Sequence, residues 1–241
     1  MASRVRLFVN QPLGQGQSVP LSRDQAHYLF GVMRLNVGVD VTLFNGTDGT
    51  WRSTVVEAGK RAGVLSCVEL EQTQMAAPDV WLLFAPIKKA RTDFIVEKAV
   101  EMGAARIVPV LTDFTNSERV RGDRLQAHAV EAAEQCGINY VPDVAEARKL
   151  GKVLDQWDSD RKLLFCDETL LSNTSTWSNL GDAKSWAILI GPEGGFSETE
   201  RTRLQTFDAS HPISLGPRIL RADTAAVAAL ALWQKTLGDW A

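Results

Sequence analysis

The segment Trp186-Ala-Ile-Leu-Ile-Gly-Pro-Glu-Gly-Gly-Phe-Ser197 joins an apolar run to a glycine-rich turn. An apolar run without polar alternation is typical of a parallel strand that is buried on both faces. Ser197 and Glu200 form a capping-box pattern, which predicts that a helix begins at Ser197. Strand, turn and helix in this order indicate an α/β domain, in which ligands lie at the carboxyl ends of the strands.

Further apolar runs predict the rest of this sheet. They occupy residues 80–85, 106–111, 162–166 and 212–215. The beginning of the chain differs, because it contains short β-type runs separated by glycine turns and one helical stretch at 24–33. These β-type runs are residues 40–44, 51–56 and 63–68. We therefore predict two domains, a small β-rich domain at 1–73 and a parallel-sheet domain at 74–241.

Composition narrows the classes of function. The 241 residues carry a formal net charge of -3, which gives no general attraction to nucleic acid or to anionic lipid. Three widely separated cysteines and three histidines without ligand spacing predict neither disulfides nor a metal site. The chain lacks a bilayer-length apolar segment, so we expect a cytoplasmic protein without a membrane role.

A second loop, residues 214–224, follows the last predicted strand. It contains Arg218 and Arg221, whose guanidinium groups suit a phosphate or a polarised carbonyl. Asp223 or Thr224 is predicted to cap the apolar helix that follows, which is either a core helix or a subunit interface. The glycine turn at 191–195 likewise has two interpretations, a tight connection or a ligand cradle, and it matches neither dinucleotide nor triphosphate motifs.

The two loops together carry a resemblance. Ile190-Gly-Pro-Glu-Gly-Gly195 and Leu215-Gly-Pro-Arg-Ile-Leu-Arg-Ala-Asp-Thr-Ala225 resemble the paired signature of the RsmE family, the 16S ribosomal RNA uridine N3-methyltransferases of the SPOUT superfamily. Lys98-Ala-Val-Glu-Met-Gly103 is similar to a helix motif of that family, and His27-Tyr-Leu-Phe-Gly-Val-Met-Arg-Leu35 is similar to its amino-terminal domain. The resemblance covers nearly the whole chain.

The resemblance implies an α/β fold whose C-terminal parallel-sheet domain contains a deep trefoil knot and follows a small PUA-like, RNA-binding β-barrel domain. It implies S-adenosyl-L-methionine as the cofactor, and a homodimer that acts on 16S rRNA in the small ribosomal subunit. The cofactor-binding residues carried over by position are Leu189, Ile190, Gly191, Gly195, Leu215, Gly216, Ile219, Leu220 and Thr224.

Methylation of uracil N3 requires that its proton leaves, and a nearby cation stabilises the resulting anion. We expect Arg221 to supply this cation. Glu193, with Asp223 as the other candidate, is expected to act as the base or to orient Arg221. Basic residues are expected to bind the RNA substrate, namely Arg6, Arg34, Lys88, Lys89, Arg91 and Arg218.

The chain departs from the family pattern at Asp113-Phe114 and at Ile138-Asn139-Tyr140, where basic residues are common in the family, so RNA contacts are expected to differ there. Three other functions remain open at this point. They are ribose 2′-O-methylation of rRNA or tRNA by a SPOUT enzyme, RNA binding without catalysis by a PUA-like protein, and an α/β enzyme for a phosphorylated metabolite.

Overall fold

The computed structural model describes residues 5–116, 120–167, 169, 177, 180, 181 and 183–241, and the chain forms two compact units. The first unit extends to Ala76 and also includes Ala133–Val141. The second unit comprises Ala77–Ala132 and Pro142–Ala241. The chain therefore leaves the first unit, returns to it for a short segment and leaves it again.

A five-stranded sheet forms the first unit. Its strands are β1 (Arg6–Phe8), β2 (Ser18–Pro20), β3 (Asp40–Phe44), β4 (Thr50–Gly59) and β5 (Ala62–Gln72), in the spatial order β1-β3-β4-β5-β2. Strands β1 and β3 are parallel, and the other pairs are antiparallel. The three predicted β-type runs are confirmed as β3, β4 and β5, which bury apolar side chains such as Val41, Leu43 and Leu65.

The predicted helix of the first unit is confirmed, although its second part is wider than an α-helix. Helix α1 (Arg23–Ala26) continues into a π-helical turn, His27–Val32, in which the Met33 N–H donates to the Tyr28 carbonyl at 2.9 Å. Arg34 follows with φ of 55°. A side chain in this left-handed region costs roughly 1–3 kcal/mol, so the surrounding structure holds Arg34 in a strained conformation.

A parallel sheet forms the core of the second unit. Its strands follow the spatial order β12-β10-β11-β6-β7-β8, with β9 beside β7. They are β6 (Val80–Phe84), β7 (Arg106–Leu111), β8 (Asp143–Val144), β9 (Arg148–Lys149), β10 (Arg161–Cys166), β11 (Ser185–Ile190) and β12 (Ser210–Ile213). Every pair is parallel, which confirms the predicted sheet and places the carboxyl ends of its strands along one edge.

Helices connect these strands. They are α2 (Lys89–Glu101), α3 (Gly122–Cys136), α4 (Leu150–Asp155), α5 (Glu198–Gln205) and α6 (Ala222–Leu237), and the last residues of α3 belong to the first unit. The part of the chain that the structure describes contains no helix that is both long and apolar enough to cross a bilayer.

The two predicted helix caps differ in outcome. Ser197 caps α5, where its Oγ accepts from the Glu200 N–H at 3.3 Å and Glu200 accepts from the Ser197 N–H, so the capping box is confirmed. The cap predicted at Asp223 or Thr224 is wrong, because α6 begins at Ala222 with Arg221 as its N-cap and without a side-chain cap. The Asp223 carboxylate has other partners, which belong to the site.

Candidate active site

A cleft lies where β10, β11 and β12 end. It contains about 630 Å³ of empty space, including its open mouth. The glycine turn after β11 forms one wall, and the loop between β12 and α6 forms the other. A cleft at the carboxyl ends of adjacent parallel strands is where open α/β sheets bind small molecules, and its volume suits one.

Most of the residues predicted to bind a cofactor line this cleft. They are Ile190, Gly191, Gly195, Leu215, Gly216, Ile219 and Leu220. The other two do not line it. Leu189 is fully buried in the core of the second unit, and Thr224 is exposed on the first turn of α6. The lining therefore combines apolar side chains with glycine backbone.

Two glycines shape the wall after β11. A Cβ atom at Gly191 would lie 2.7 Å from Cε2 of Phe196, which is buried and packs edge-on against Phe165 at 5.1 Å between ring centroids. Gly195 has φ of 71°, a conformation that disfavours other residues, and its N–H donates to the Pro192 carbonyl at 2.9 Å. The wall therefore depends on glycine both for space and for backbone geometry.

Arg91 connects the two walls of the cleft. Its Nε and Nη2 donate to the two carboxylate oxygens of Asp223 at 2.8 and 3.0 Å, and its Nη1 donates to Glu193. Hydrogen bonds from Arg91 lower the pKa of Asp223, and those to Asp223 raise the pKa of Arg91. Glu193 and Asp223, which we expected to act as base or to orient Arg221, are thus bound to Arg91.

Two other arginines stand at the cleft without such partners. Arg218 lines it, and Arg221 lies between two further lining residues, Leu220 and Ala222. Both arginine side chains are exposed, and neither forms a hydrogen bond or ion pair with any residue that the structure describes. Their charges are therefore available to a bound anion or to a carbonyl on which negative charge develops.

Comparison with known proteins shows which family this chain belongs to. A family model described as an RNA methyltransferase domain matches residues 74–234, and a model described as an RNA methyltransferase PUA domain matches residues 21–66. Ribosomal RNA small subunit methyltransferase E of Synechocystis is 31% identical over 219 residues, which cover 89% of this chain and 72% of that protein. The chain belongs to the ribosomal RNA small subunit methyltransferase E family.

Other members of the methyltransferase E family match along nearly their whole length. The protein from Rickettsia conorii is 29% identical, with 94% of this chain and 93% of that protein covered. The crystal structure of the Neisseria gonorrhoeae enzyme bound to S-adenosyl methionine has a TM-score of 0.88 at 27% identity, covering 99% of this chain and all of that one. A Legionella pneumophila protein in complex with the same cofactor has a TM-score of 0.88 at 26% identity, covering 97% of this chain and 98% of that one.

The remaining predicted RNA contacts of this methyltransferase E member are divided between the two units. In the first unit, Arg34 is exposed, whereas Arg6 donates from Nη2 to the Ile138 carbonyl at 2.7 Å and lies over the Phe44 ring. Burial lowers the pKa of Arg6. In the second unit, Lys88 and Lys89 are exposed where α2 begins. Arg6 therefore holds the returning segment 133–141, while Arg34, Lys88 and Lys89 keep accessible charges.

Among the cleft residues that sequence reasoning missed are Cys166 and Asp167. They lie at and just after the end of β10, so the rule that ligands bind at strand ends could have found them. Burial raises the pKa of the Cys166 thiol far above its usual range, which keeps the thiol protonated. The Asp167 carboxylate is buried and accepts hydrogen bonds from Thr169 and from Arg201 of α5, so it connects the end of β10 to that helix.

Proposed function

We propose that this member of the methyltransferase E family transfers a methyl group from S-adenosyl-L-methionine to N3 of a specific uridine in 16S rRNA. The observation that carries the proposal is the cleft at the ends of β10, β11 and β12, lined by both signature loops. A family relative from Neisseria gonorrhoeae was crystallised with this cofactor.

The cleft fits the proposed cofactor. Its apolar side chains, among them Ile190, Leu215 and Leu220, suit a flat adenine, and its glycine turn exposes backbone groups that can hydrogen-bond polar atoms. When bound, S-adenosyl-L-methionine supplies an activated methyl group on a sulfonium. The task of the protein is then to hold the uracil N3 in line with that methyl group, because displacement depends mainly on position.

Arg221 is our candidate for stabilising the uracil once its N3 proton has left. Its exposed guanidinium lacks a partner among the described residues, so it can bind O2 or O4 at the moment when negative charge develops there. Glu193 is the candidate base. Arg91 holds its Oε1, while the side chain stays half exposed, which leaves Oε2 for the proton. Arg91 then positions the carboxylate of Glu193, the candidate catalytic base, and is not itself an RNA contact.

Two structural proposals accompany the reaction. We propose that the deep trefoil knot involves the loop between β12 and α6. This loop lines the same cleft as the turn after β11, and the helix that follows it, α6, packs against α2 and β11. We also propose a cytoplasmic homodimer, in which the exposed Leu232 of α6 and Trp240 beyond it contribute to the interface. A crystal structure tests the first proposal, and light scattering in solution tests the second.

We assign RNA binding to residues 1–73 and the reaction to residues 74–241. Exposed Arg34 in the first unit and exposed Lys88, Lys89 and Arg218 in the second supply charges for phosphate groups. Because the net charge of the chain is -3, the affinity for RNA must come from these local groups and should fall steeply with salt.

The decisive experiment maps modified nucleotides in small-subunit rRNA from cells with and without this protein. Nuclease digestion followed by mass spectrometry should find one uridine whose base gains a methyl group only when the protein is present. A methyl group on ribose instead would indicate 2′-O-methylation. Absence of any difference, together with no heat of binding to S-adenosyl-L-methionine, would leave an RNA-binding protein without catalysis.

A further inference from the structure

The turn after β7 is fixed in place by its own hydrogen bonds. The Thr112 N–H donates to Thr115 Oγ1 at 2.9 Å, and the Thr115 N–H donates to the Thr112 carbonyl at 3.1 Å. Asp113 connects the turn to the beginning of α5, because its carboxylate accepts from Ser197 Oγ at 2.5 Å and its N–H donates to Glu200 at 3.0 Å. The turn is therefore held at both ends.

Phe114 is presented to solvent at the centre of this turn. Its exposed fraction is 46%, although a phenylalanine gains stability only from burial. A Cβ atom at Gly194 would lie 3.5 Å from Phe114 Cβ and 3.8 Å from its Cγ and Cδ2, so the ring lies beside Gly194. The residues on either side of Gly194 line the cleft. Phe114 is thus an exposed aromatic ring at the edge of the proposed active site.

We propose that Phe114 stacks on a nucleobase of the RNA substrate at the mouth of the cleft. This inference rests on the proposed function, because the cleft must receive a base for the reaction. Unpaired bases in RNA are commonly bound by stacking on aromatic side chains, which needs a flat apolar face and little else. Phe114 is flanked in sequence by the polar residues Asp113, Thr115 and Asn116, so it is a single exposed apolar side chain in this turn, as stacking on one base requires.

The structure also supports RNA as the ligand through charge. Arg218 is exposed at the same cleft and can bind a phosphate group next to the stacked base, while Arg221 is assigned to the reacting uracil. The hydrogen bonds of the turn reduce the entropy that binding would otherwise cost, since they hold the backbone that carries the ring. Phe114 therefore acts as a substrate-binding contact for a nucleobase and not as a group that reacts.

The test compares three substitutions with a matched control. Phe114→Ala and Phe114→Leu remove the ring, Phe114→Trp keeps an aromatic face, and Phe94→Ala removes another exposed phenylalanine of the second unit, which lies on α2 with Lys98 over its ring. We expect Ala and Leu to lower kcat/KM for methylation of small subunits with unmodified rRNA by about 5- to 150-fold, with a parallel loss of rRNA affinity. Phe114→Trp and Phe94→Ala should keep a kcat/KM and an rRNA affinity close to those of wild type.

Calorimetry with S-adenosyl-L-methionine and light scattering accompany each variant. Unchanged cofactor affinity and unchanged oligomeric state in Phe114→Ala support stacking on the RNA. Wild-type behaviour of Phe114→Leu would overturn it, because an apolar contact would then suffice, and so would dissociation of a dimer in Phe114→Ala. If wild-type protein binds rRNA without methylating it, the proposed function fails, while the pattern of rRNA affinities still decides the role of Phe114.

Discussion

Arg91 donates through Nε and Nη2 to both carboxylate oxygens of Asp223, which lies 132 residues further along the chain. This pair joins α2 to α6, and the additional bond from Arg91 to Glu193 joins both helices to the turn after β11. A planar guanidinium can satisfy three carboxylate oxygens at once, which a lysine ammonium cannot do with the same geometry. The shape of the cleft therefore depends on a single side chain that does not line it.

Replacing Arg91 should weaken cofactor binding. We expect Arg91→Ala to raise the Kd for S-adenosyl-L-methionine by about tenfold, because both walls lose their connection. Arg91→Lys should restore little of this loss. The double variant Arg91→Ala, Asp223→Asn should be no weaker than Arg91→Ala, since both changes break the same pair. The control is Arg203→Ala, which breaks an exposed pair with Asp155 and should bind S-adenosyl-L-methionine like wild type. Additive losses of cofactor affinity in the double variant would contradict the coupling between Arg91 and Asp223.

The same pair should be visible in the pH dependence of stability. Arg91 lowers the pKa of Asp223 below its usual value, so the folded state favours the charged carboxylate. The contribution is then complete above the ordinary aspartate pKa of about 3.9 and is lost as the pH falls through the lowered value. Urea unfolding of wild type and Asp223→Asn should differ by a constant amount from neutral pH to about pH 5 and converge below pH 4. A difference that grows on acidification would refute the pairing.

Arg221→Ala should abolish methylation and leave cofactor affinity nearly intact. The physical reason is that Arg221 lacks partners among the described residues, so its removal disturbs no internal contact. Single-turnover methylation of small subunits measures the first effect, and calorimetry measures the second. Turnover that stays within a few-fold of wild type would remove Arg221 from the reaction.

Gly191→Ala should destabilise the second unit. The new methyl group would lie 2.7 Å from the buried Phe196 ring, and forcing the ring away from Phe165 costs about 1–3 kcal/mol. Urea unfolding measures the loss, and cofactor affinity should fall with it because Gly191 lines the cleft. Gly122→Ala is the matched control, since among the described residues no atom outside its own helix backbone and chain neighbours lies within 4 Å of its Cβ position. Equal stability of the two variants would contradict the crowding argument.

Asn139→Ala should destabilise the first unit. Asn139 is fully buried, its Oδ1 accepts from the Met75 N–H and its Nδ2 donates to the Thr73 carbonyl, both at 2.9 Å. Removing the amide takes the partner from the Met75 N–H and the Thr73 carbonyl, both in part-buried hydrogen bonds, at a cost of about 1–3 kcal/mol for each group that water does not reach. Chemical denaturation of the full chain measures this. The control is Asn36→Ala, which changes an exposed asparagine and should unfold like wild type. If Asn139→Ala leaves the free energy of unfolding unchanged, water replaces the side chain.

Local patterns predicted the parts of this structure that local sequence controls. The strand Ser185–Ile190, the capping box at Ser197 and the glycine wall depend on neighbours within a few residues, so their sequence pattern is informative. The partners of Arg91 could not be predicted, because they lie 102 and 132 residues away and the pairing follows from the fold. The cap of α6 was mispredicted because the helix begins earlier, at Ala222 with Arg221 as its N-cap, and the Asp223 carboxylate pairs with distant Arg91 besides accepting from the Thr224 N–H.

The role of Asn139 also needed the structure. In the sequence, Ile138-Asn139-Tyr140 was a departure expected to alter RNA contacts, whereas in the structure Asn139 is a buried connection within the first unit. The sequence of the π-helical turn at His27–Val32 has the apolar spacing of an ordinary helix. The sequence therefore did not predict that its hydrogen bonds span five residues instead of four.

The return of Ala133–Val141 to the first unit determines when that unit becomes complete during synthesis. Glu134 accepts from the Phe8 N–H at 2.8 Å, and the Ile138 carbonyl accepts from Arg6, so strand β1 gains these partners late. Residue 141 leaves the ribosomal exit tunnel only after β6 and β7 of the other unit have left it. The segment that completes the first unit therefore emerges while the second unit is still being synthesised. A fragment that ends near residue 76 lacks this segment and cannot complete the first unit.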